Sequence, residues 1–254
     1  MTEADSNIYI YGRNPVEEVL ANEPRKIDKI FVRQSVKDRE IQDIYDLSSA
    51  NRIPISHVPG SKIYELVGDV NDQGVVALMS AIEYRDFHSW LESVDLSVYP
   101  GILLLDELED PHNVGAILRT AAAAGMDAVL VPKHRQAPIT ATVYKTSAGT
   151  AGRLPIVRVG NLNQSILKLK DAGFWIAGLA QQGEQVLWEL EVDRPLAFVI
   201  GSEGSGIRKK TLEHCDYSFS IPMANRVESL NASVGAALLA YEWRRKKQDP
   251  NASH

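Results

Sequence analysis

The chain has 254 residues, 44% of them hydrophobic, and a formal net charge of −6 at pH 7. This length exceeds one average domain, so the composition predicts a soluble globular protein with two domains, each large enough to bury a core. The negative charge argues against a protein that holds nucleic acid by a broad positive field, although local basic clusters could still contact RNA.

The cysteine content and the polar start of the chain predict a cytoplasmic protein without a membrane span. Cys215 is the single cysteine and cannot form an internal disulfide, which favours a reducing compartment. The first seven residues are polar, with no apolar stretch behind a basic start, so we expect no signal peptide. The longest weakly polar stretch, 116–131, contains Arg119 and Asp127 and is shorter than the roughly 20 apolar residues of a span.

Residues 1–82 predict a small α/β domain, in which extended runs alternate with helical patterns. Strands are expected at 9–12, 29–32, 55–58 and 74–79, and helices at 14–21, 38–50 and 61–67. Asn14 is expected to cap the first helix, with Pro15 at its first position. Residues 83–100 mix aromatic and charged side chains without a clear period and end in Pro100-Gly101, which predicts a linker.

Residues 101–248 predict a second α/β domain built on a parallel sheet. Ile102 to Leu105 is a continuous apolar run, typical of a strand buried on both faces of such a sheet. Further runs of this kind alternate with helical stretches, at 128–131, 155–159, 175–179, 196–200 and 217–221.

Three blocks of this second domain carry polar groups beside backbone that glycine or proline forces into turns. The first runs from Asp110 through Pro-His-Asn-Val-Gly-Ala-Ile-Leu to Arg119. Asn113 is a candidate cap for a helix over 114–124. Arg119 lies in an otherwise apolar helical stretch, where a guanidinium needs a partner, either a structural acid or a ligand.

The second block, Gly201-Ser-Glu-Gly-Ser-Gly206, resembles a phosphate cradle but lacks the Gly-Lys-Ser/Thr step of a P-loop. Glu203 would repel a phosphate and suits a cationic or hydroxyl-rich ligand. S-adenosylmethionine, which carries a sulfonium and ribose hydroxyls, fits this loop better. The alternative for Glu203 alone is an acid that is stabilised at a helix N-terminus.

The third block starts at Ile221-Pro-Met, at the end of a predicted strand, and leads through a turn into a helix. Ser229 and Asn231 stand at the start of this helix. Val234, Leu238 and Tyr241 follow at helical spacing and form an apolar stripe, which packs either on the core of the domain or on a second subunit.

In this order and at these separations, the three blocks resemble the signature motifs of the SpoU (TrmH) family of RNA ribose 2'-O-methyltransferases. The match is nearly continuous over 110–241. The first domain is similar to the L30e-like substrate-binding domain of many members at Tyr11-Gly-Arg-Asn-Pro-Val and Gln73-Gly-Val-Val-Ala. Two positions depart from the family pattern: Asp72, where histidine is frequent, and Gly152, where glutamate is frequent.

The resemblance implies a SPOUT-type parallel sheet with a C-terminal trefoil knot, an S-adenosylmethionine cofactor, no metal, and a homodimer. Similarity to the RlmB-type members implies a guanosine of 23S-type ribosomal RNA as substrate, with transfer RNA as the alternative. Five positions fall on the family's catalytic centre: Asn113, Arg119, Glu203, Ser229 and Asn231. Three fall on its cofactor-binding positions: Gly201, Ile221 and Leu230.

Two hypotheses from other functional classes stay open at this point. The same scaffold could serve a non-catalytic RNA-binding or assembly factor, although the five motif residues together argue for chemistry. A nucleotide hydrolase that uses the loop 201–206 is disfavoured by the missing Lys-Thr step.

Overall fold

The computed structural model describes residues 8–80, 82–148, 150–225 and 227–248. Contacts divide the chain into two compact units. The first comprises the chain up to Tyr84 together with Pro138–Tyr144, and the second comprises Arg85–Ala137 and the chain from Lys145 onward. Across the described ranges, we find no helix with the length and apolar character that crossing a membrane requires.

The first unit is a four-stranded mixed sheet with three helices. Its strands are β1 (Ile8–Tyr11), β2 (Ile27–Arg33), β3 (Ile55–Val58) and β4 (Val75–Met79), and its helices are α1 (Arg13–Asn22), α2 (Gln42–Ala50) and α3 (Gly60–Val67). The strand order is β1-β4-β2-β3, with β4 antiparallel to both neighbours and β2 parallel to β3. Apolar residues of α1, α2 and the strands form one buried cluster.

The N-terminus of α1 differs from the prediction. The cap is Gly12, whose φ of 91° is readily adopted only by glycine, and Asn14 makes no capping hydrogen bond. The helix therefore starts at Arg13, one residue before the expected cap, and the exposed side chain of Asn14 is released from that role. The helix expected over 38–50 is a 3-10 turn, Asp38–Glu40, followed by α2.

The second unit contains an eight-stranded sheet. Its strands are β5 (Arg85–Asp86), β6 (Gly101–Asp106), β7 (Ala128–Pro132), β8 (Ile156–Val159), β9 (Trp175–Leu179), β10 (Gln185–Val186), β11 (Leu196–Gly201) and β12 (Tyr217–Ser220). Their order is β10-β12-β9-β11-β6-β7-β8-β5, and every neighbouring pair is parallel. The predicted parallel α/β sheet is thus confirmed.

Helices precede or connect these strands. They are α4 (Phe87–Ser93), α5 (Pro111–Ala124), α6 (Ala141–Thr146), α7 (Leu162–Ala172), α8 (Lys209–Leu212) and α9 (Ala232–Lys247), and residues 141–144 of α6 are counted with the first unit. The last helix packs close to the start of β6. The indole of Trp243 lies so near Gly101 that a Cβ at this position would overlap it. Arg244 also donates from its guanidinium to the carbonyl of Ala124, 3.1 Å away, and so ties α9 to the end of α5.

The segment 83–100, predicted as a linker, is ordered and belongs from Arg85 onward to the second unit. Asp86 caps α4 by accepting from the backbone N–H groups of His88 and Ser89, both 3.0 Å away. Phe87 and Trp90 are buried in the core of this unit. The aromatic residues that showed no period are therefore core residues of a short helix.

Candidate active site

The three sequence blocks meet at one edge of the parallel sheet. The neighbouring strands β9, β11 and β6, with β12 beside β9, all end at this edge because they run in the same direction. The first block follows β6, the second follows β11 and the third follows β12. The carboxyl edge of a parallel sheet is where α/β proteins bind ligands, so the topology alone brings the candidate residues together.

Asn113, Glu203 and Asn231 form a closed hydrogen-bonded triad. Along the chain, Glu203 is 90 residues and Asn231 is 118 residues from Asn113. The amide of Asn113 donates to Glu203 Oε1 at 2.8 Å. The amide of Asn231 donates to Asn113 Oδ1 at 3.0 Å and also to Glu203 Oε1. Each of the three side chains thereby fixes the orientation of the other two.

The two asparagines stand on the first turns of two helices. Asn231 is the N-cap of α9, and its Oδ1 accepts from the backbone N–H of Ser233 at 2.9 Å. Asn113 does not cap α5 as predicted, because Asp110 takes that position and accepts from the N–H of His112 at 2.9 Å. Asn113 is instead buried in the first turn, which leaves its amide free to bind Glu203.

Glu203 keeps one carboxylate oxygen for a ligand. Both hydrogen bonds from the asparagines go to Oε1, and in the described part of the chain Oε2 has no hydrogen-bond donor. The side chain is exposed in the loop after β11. An oriented carboxylate of this kind can accept from a hydroxyl or attract a positive charge.

A cavity of about 260 Å³ lies beside the triad. All three predicted cofactor positions, Gly201, Ile221 and Leu230, line it, and so do Glu203, Ser229 and Asn231. Apolar residues that line it include Leu179, Ile200, Ile207 and Met223. Ser229 forms no hydrogen bond within the described ranges, so its hydroxyl can bind a ligand.

The loop after β11 is a tight turn closed on itself. Ser202 and Gly206 exchange two backbone hydrogen bonds of 3.2 and 2.9 Å, and Gly206 adopts a φ of 64°. A Cβ on Gly201 would overlap the backbone of Gly206 and Ile207, so only glycine fits there. The turn thus presents exposed backbone to the cavity, as a site for a flat or hydroxyl-rich ligand requires.

A second, polar cavity of about 360 Å³ shares Ser202, Glu203 and Ser205 with the first. It is also lined by Asn113 and by acidic residues of the loop after β6, Glu107, Glu109 and Asp110. Glu203 therefore stands between an apolar cavity and a polar one.

An ion pair that sequence reasoning missed anchors the loop after β11. Arg208 donates from Nε to Asp106 Oδ1 at 2.8 Å, and its backbone N–H donates to Oδ2 at 3.0 Å. Burial opposes the charge on Arg208, but the hydrogen bond to Asp106 and the charges of Asp106 and Glu107 outweigh it and raise the pKa of Arg208. The one sequence signal was Asp106, an acid at the end of an otherwise apolar strand and fully buried in the structure.

Arg119 lies apart from the triad. It is six residues after Asn113 on α5, about 9 Å further along the helix axis and on a different face. Its side chain is exposed and lines neither cavity. Within the described residues it has no acidic partner, so the structural ion pair considered from the sequence is not found.

Two family models match the chain. The SpoU rRNA Methylase family matches residues 100–241, and the model for RNA 2'-O ribose methyltransferase substrate binding matches residues 9–85. A relative from Staphylococcus epidermidis is 40% identical over 95% of this chain and 96% of its own length. A second, from Staphylococcus aureus, is 42% identical over 94% and 96%. Both carry the provisional name TrmH family tRNA/rRNA methyltransferase.

Solved structures are similar over nearly the whole chain. The SpoU methyltransferase AviRb from Streptomyces viridochromogenes, in complex with AdoMet, has a TM-score of 0.59 at 21% identity and covers 96% of this chain and 91% of that one. A structure described as RNA 2'-O ribose methyltransferase has a TM-score of 0.57 at 27% identity, with 96% and 90% covered. Because a family model matches more than half of the residues and relatives at 40% and 42% identity span nearly the full length, the chain belongs to the SpoU rRNA Methylase family of RNA methyltransferases.

Proposed function

We propose that the protein transfers a methyl group from S-adenosylmethionine to a ribose 2'-hydroxyl of RNA, most specifically to a guanosine of 23S-type ribosomal RNA. The observation that carries this proposal is the triad of Asn113, Glu203 and Asn231 between an apolar and a polar cavity at the carboxyl edge of the sheet. It provides an oriented carboxylate, that of Glu203, on the wall shared by the two cavities.

The residues of the first cavity fit the cofactor. Gly201, Ile221 and Leu230 offer backbone and apolar surface to the adenosine, and Glu203 offers a negative charge near the positive sulfur. When bound, the cofactor supplies a methyl group on a sulfonium, whose leaving group is neutral. No metal ion is needed to stabilise that leaving group.

The second cavity suits the target ribose, because its polar walls can accept hydrogen bonds from sugar hydroxyls. We assign Asn113, Glu203 and Ser229 the task of fixing the geometry of in-line attack. As the 2'-oxygen bonds to the methyl carbon, the carbon–sulfur bond breaks with its electron pair left on the sulfur as a neutral thioether, and the hydroxyl proton passes to solvent.

Arg119 is proposed to act on the RNA rather than as a simple base. A guanidinium has a pKa above about 12 and normally stays protonated, so it is better suited to bind a phosphate and polarise the 2'-oxygen. Its exposed side chain is available for such a contact. Since it lies away from the triad of its own chain, it would contribute to the site through bound RNA or from a second copy.

A homodimer is supported by an exposed apolar stripe on α9. Val234, Leu238 and Tyr241 are 46%, 36% and 51% exposed, so the core of their own unit does not cover them. The exposed positions of α5 are His112, Arg119 and Ala123, with Ala116 half-buried between them. Contiguous exposed apolar surface is typical of an interaction site. We expect a dimer in sedimentation at micromolar concentration, and a monomer alone would contradict the assignment.

The family resemblance also leads us to propose a knot, two domain assignments and a cellular location. The meeting of the second and third blocks in one cavity is compatible with a trefoil knot that joins them. We assign residues 1–82 to an L30e-like RNA-binding domain and 101–248 to the knotted methyltransferase domain, and we propose a cytoplasmic location, where the RNA is found.

A competition experiment can distinguish ribosomal RNA from transfer RNA as the substrate. We expect the purified protein to methylate an unmodified large-subunit ribosomal RNA transcript and to leave an unmodified transfer RNA transcript unlabelled when both are offered with radiolabelled S-adenosylmethionine. If only the transfer RNA transcript were labelled, transfer RNA would be the substrate. Binding of ATP in place of S-adenosylmethionine would favour the nucleotide hydrolase, and RNA binding without methyl transfer to either RNA would favour an assembly factor.

A further inference from the structure

A polar cleft of about 640 Å³ lies in the first unit, at one end of its sheet. It is formed by the start of α1, the loop after β2 and the loop before β4. Its volume is within the range of small-ligand sites, about 300 to 1,000 Å³. The side chains that line it are almost all polar, among them Arg13, Asn14, Arg33, Ser35, Asn71 and Gln73.

The cleft carries no net charge, although two arginines line it. Arg33 Nη2 is 2.7 Å from both oxygens of the buried Asp72, which also accepts from the N–H of Gly74 at 2.6 Å. Arg13 Nη2 is 2.7 Å from Glu40. Each guanidinium is thus balanced by a carboxylate, and this pairing disfavours a site whose main ligand is a phosphate.

Several hydrogen-bonding groups of the cleft remain available. Asn14, Ser35 and Asn71 are exposed, and their side chains have no hydrogen-bond partner within the ranges that the structure describes. These exposed side chains can donate to and accept from a ligand that enters the cleft.

The backbone around the cleft is held in an uncommon conformation. Gln73 has a φ of 49°, and it is fixed there because its Oε1 accepts from the N–H of Arg13 at 2.9 Å and its carbonyl accepts from Arg13 Nε at 3.2 Å. A non-glycine residue in this region is sustained only by surrounding contacts, and such residues concentrate at functional sites. The loop before β4 is therefore tied to the start of α1 at the edge of the cleft.

We propose that this cleft binds an unpaired nucleobase of the RNA substrate and reads its edge through hydrogen bonds. Amide and guanidinium groups are the side chains that pair with base edges, and single-stranded loops are the parts of RNA whose bases are free to enter a pocket. The neutral charge favours a base over the phosphate backbone. The inference rests on the proposed RNA substrate and extends it, because it names the residues that select the RNA.

The test is RNA affinity across a salt series, measured with the full chain and two probes, an unmodified large-subunit ribosomal RNA transcript and an unmodified transfer RNA transcript. We expect Asn14→Ala and Asn71→Ala each to weaken binding of the preferred transcript about tenfold, the effect of one lost hydrogen bond. The slope of affinity against salt should stay unchanged, because base contacts release no counterions. Asn22→Ala removes an exposed amide at the other end of α1, where it donates to the carbonyl of Glu18, and this variant should bind RNA as the unmodified protein does.

Three results would overturn the proposal. The first is an unchanged RNA affinity when Asn14 and Asn71 are both replaced by alanine. The second is a variant whose slope of affinity against salt falls by about one, which would indicate a phosphate contact. The third is that the unmodified protein binds neither transcript. Affinity for S-adenosylmethionine, measured on every variant, reports on the second unit. Cleft-dependent RNA binding without methyl transfer would refute the proposed function alone, and methyl transfer with a dispensable cleft would refute this inference alone.

Discussion

Replacing Gly201 by alanine should abolish binding of S-adenosylmethionine. The added Cβ would overlap the backbone of Gly206 and Ile207, and backbone on the far side of a closed turn cannot move aside as a flexible side chain can. The turn therefore has to open, and with it the wall of the cavity that it forms. We expect the affinity measured by titration calorimetry to fall more than about 100-fold, or about 2.7 kcal/mol.

Gly204→Ala in the same turn is the matched control. A Cβ there would meet no atom within 4 Å, and Gly204 is not among the glycines with positive φ. The thermal midpoint of this variant should equal that of the unmodified protein, whereas the midpoint of Gly201→Ala should fall. Full cofactor affinity in Gly201→Ala would show that the loop after β11 does not form the cofactor site.

Replacing Arg119 by alanine should abolish methyl transfer and leave cofactor affinity intact. The side chain is exposed and lines neither cavity, so neither folding nor cofactor binding depends on it. If it binds the phosphate and polarises the 2'-oxygen, its loss removes an interaction made in the transition state, and the rate should drop about a thousandfold.

Single-turnover rates and calorimetric affinities, measured on the same preparations, separate the two effects. Arg119→Lys keeps the charge but loses the planar fork, so its rate should lie between those of alanine and arginine. An equal loss of cofactor affinity and of transfer in Arg119→Ala would contradict the role assigned to this residue.

The strands of the second unit were predictable because a strand that is buried on both faces is apolar throughout. The runs at 102–105 and 196–200 fall within β6 and β11, and every residue of β6 is buried. The segment 83–100 was misjudged for a related reason. Phe87 and Trp90 are core residues, but a helix of only seven residues is too short to show a period.

Both misplaced helix caps have one cause. Asn14 and Asn113 are good capping residues, but Gly12 and Asp110 stand upstream and start each helix earlier. A local pattern shows which residues can cap and not which one does. In both cases the displaced asparagine gains an amide that is free for other contacts, in the cleft and in the triad respectively.

The family motifs named four catalytic positions and three cofactor positions that line the two cavities, but they did not predict the contacts between these residues. Glu203 reaches Asn113 across 90 residues only because β11 is inserted beside β6, and strand order is not written in local sequence. The pair of Arg208 with Asp106 was missed for the same reason. Arg208 is followed directly by Lys209 and Lys210, and a short basic run gives no sign of a buried acid 102 residues away.

Every role assigned above depends on methylation of a ribose 2'-hydroxyl. The most direct measurement is to incubate it with S-adenosylmethionine and unmodified large-subunit ribosomal RNA, digest the RNA to nucleosides and identify the methylated product by mass spectrometry. We predict 2'-O-methylguanosine. A methyl group on another ribose would confirm the reaction and identify a different target nucleotide. A methyl group on a base, or none on ribosomal or transfer RNA, would show that the protein is not a ribose 2'-O-methyltransferase of these RNAs.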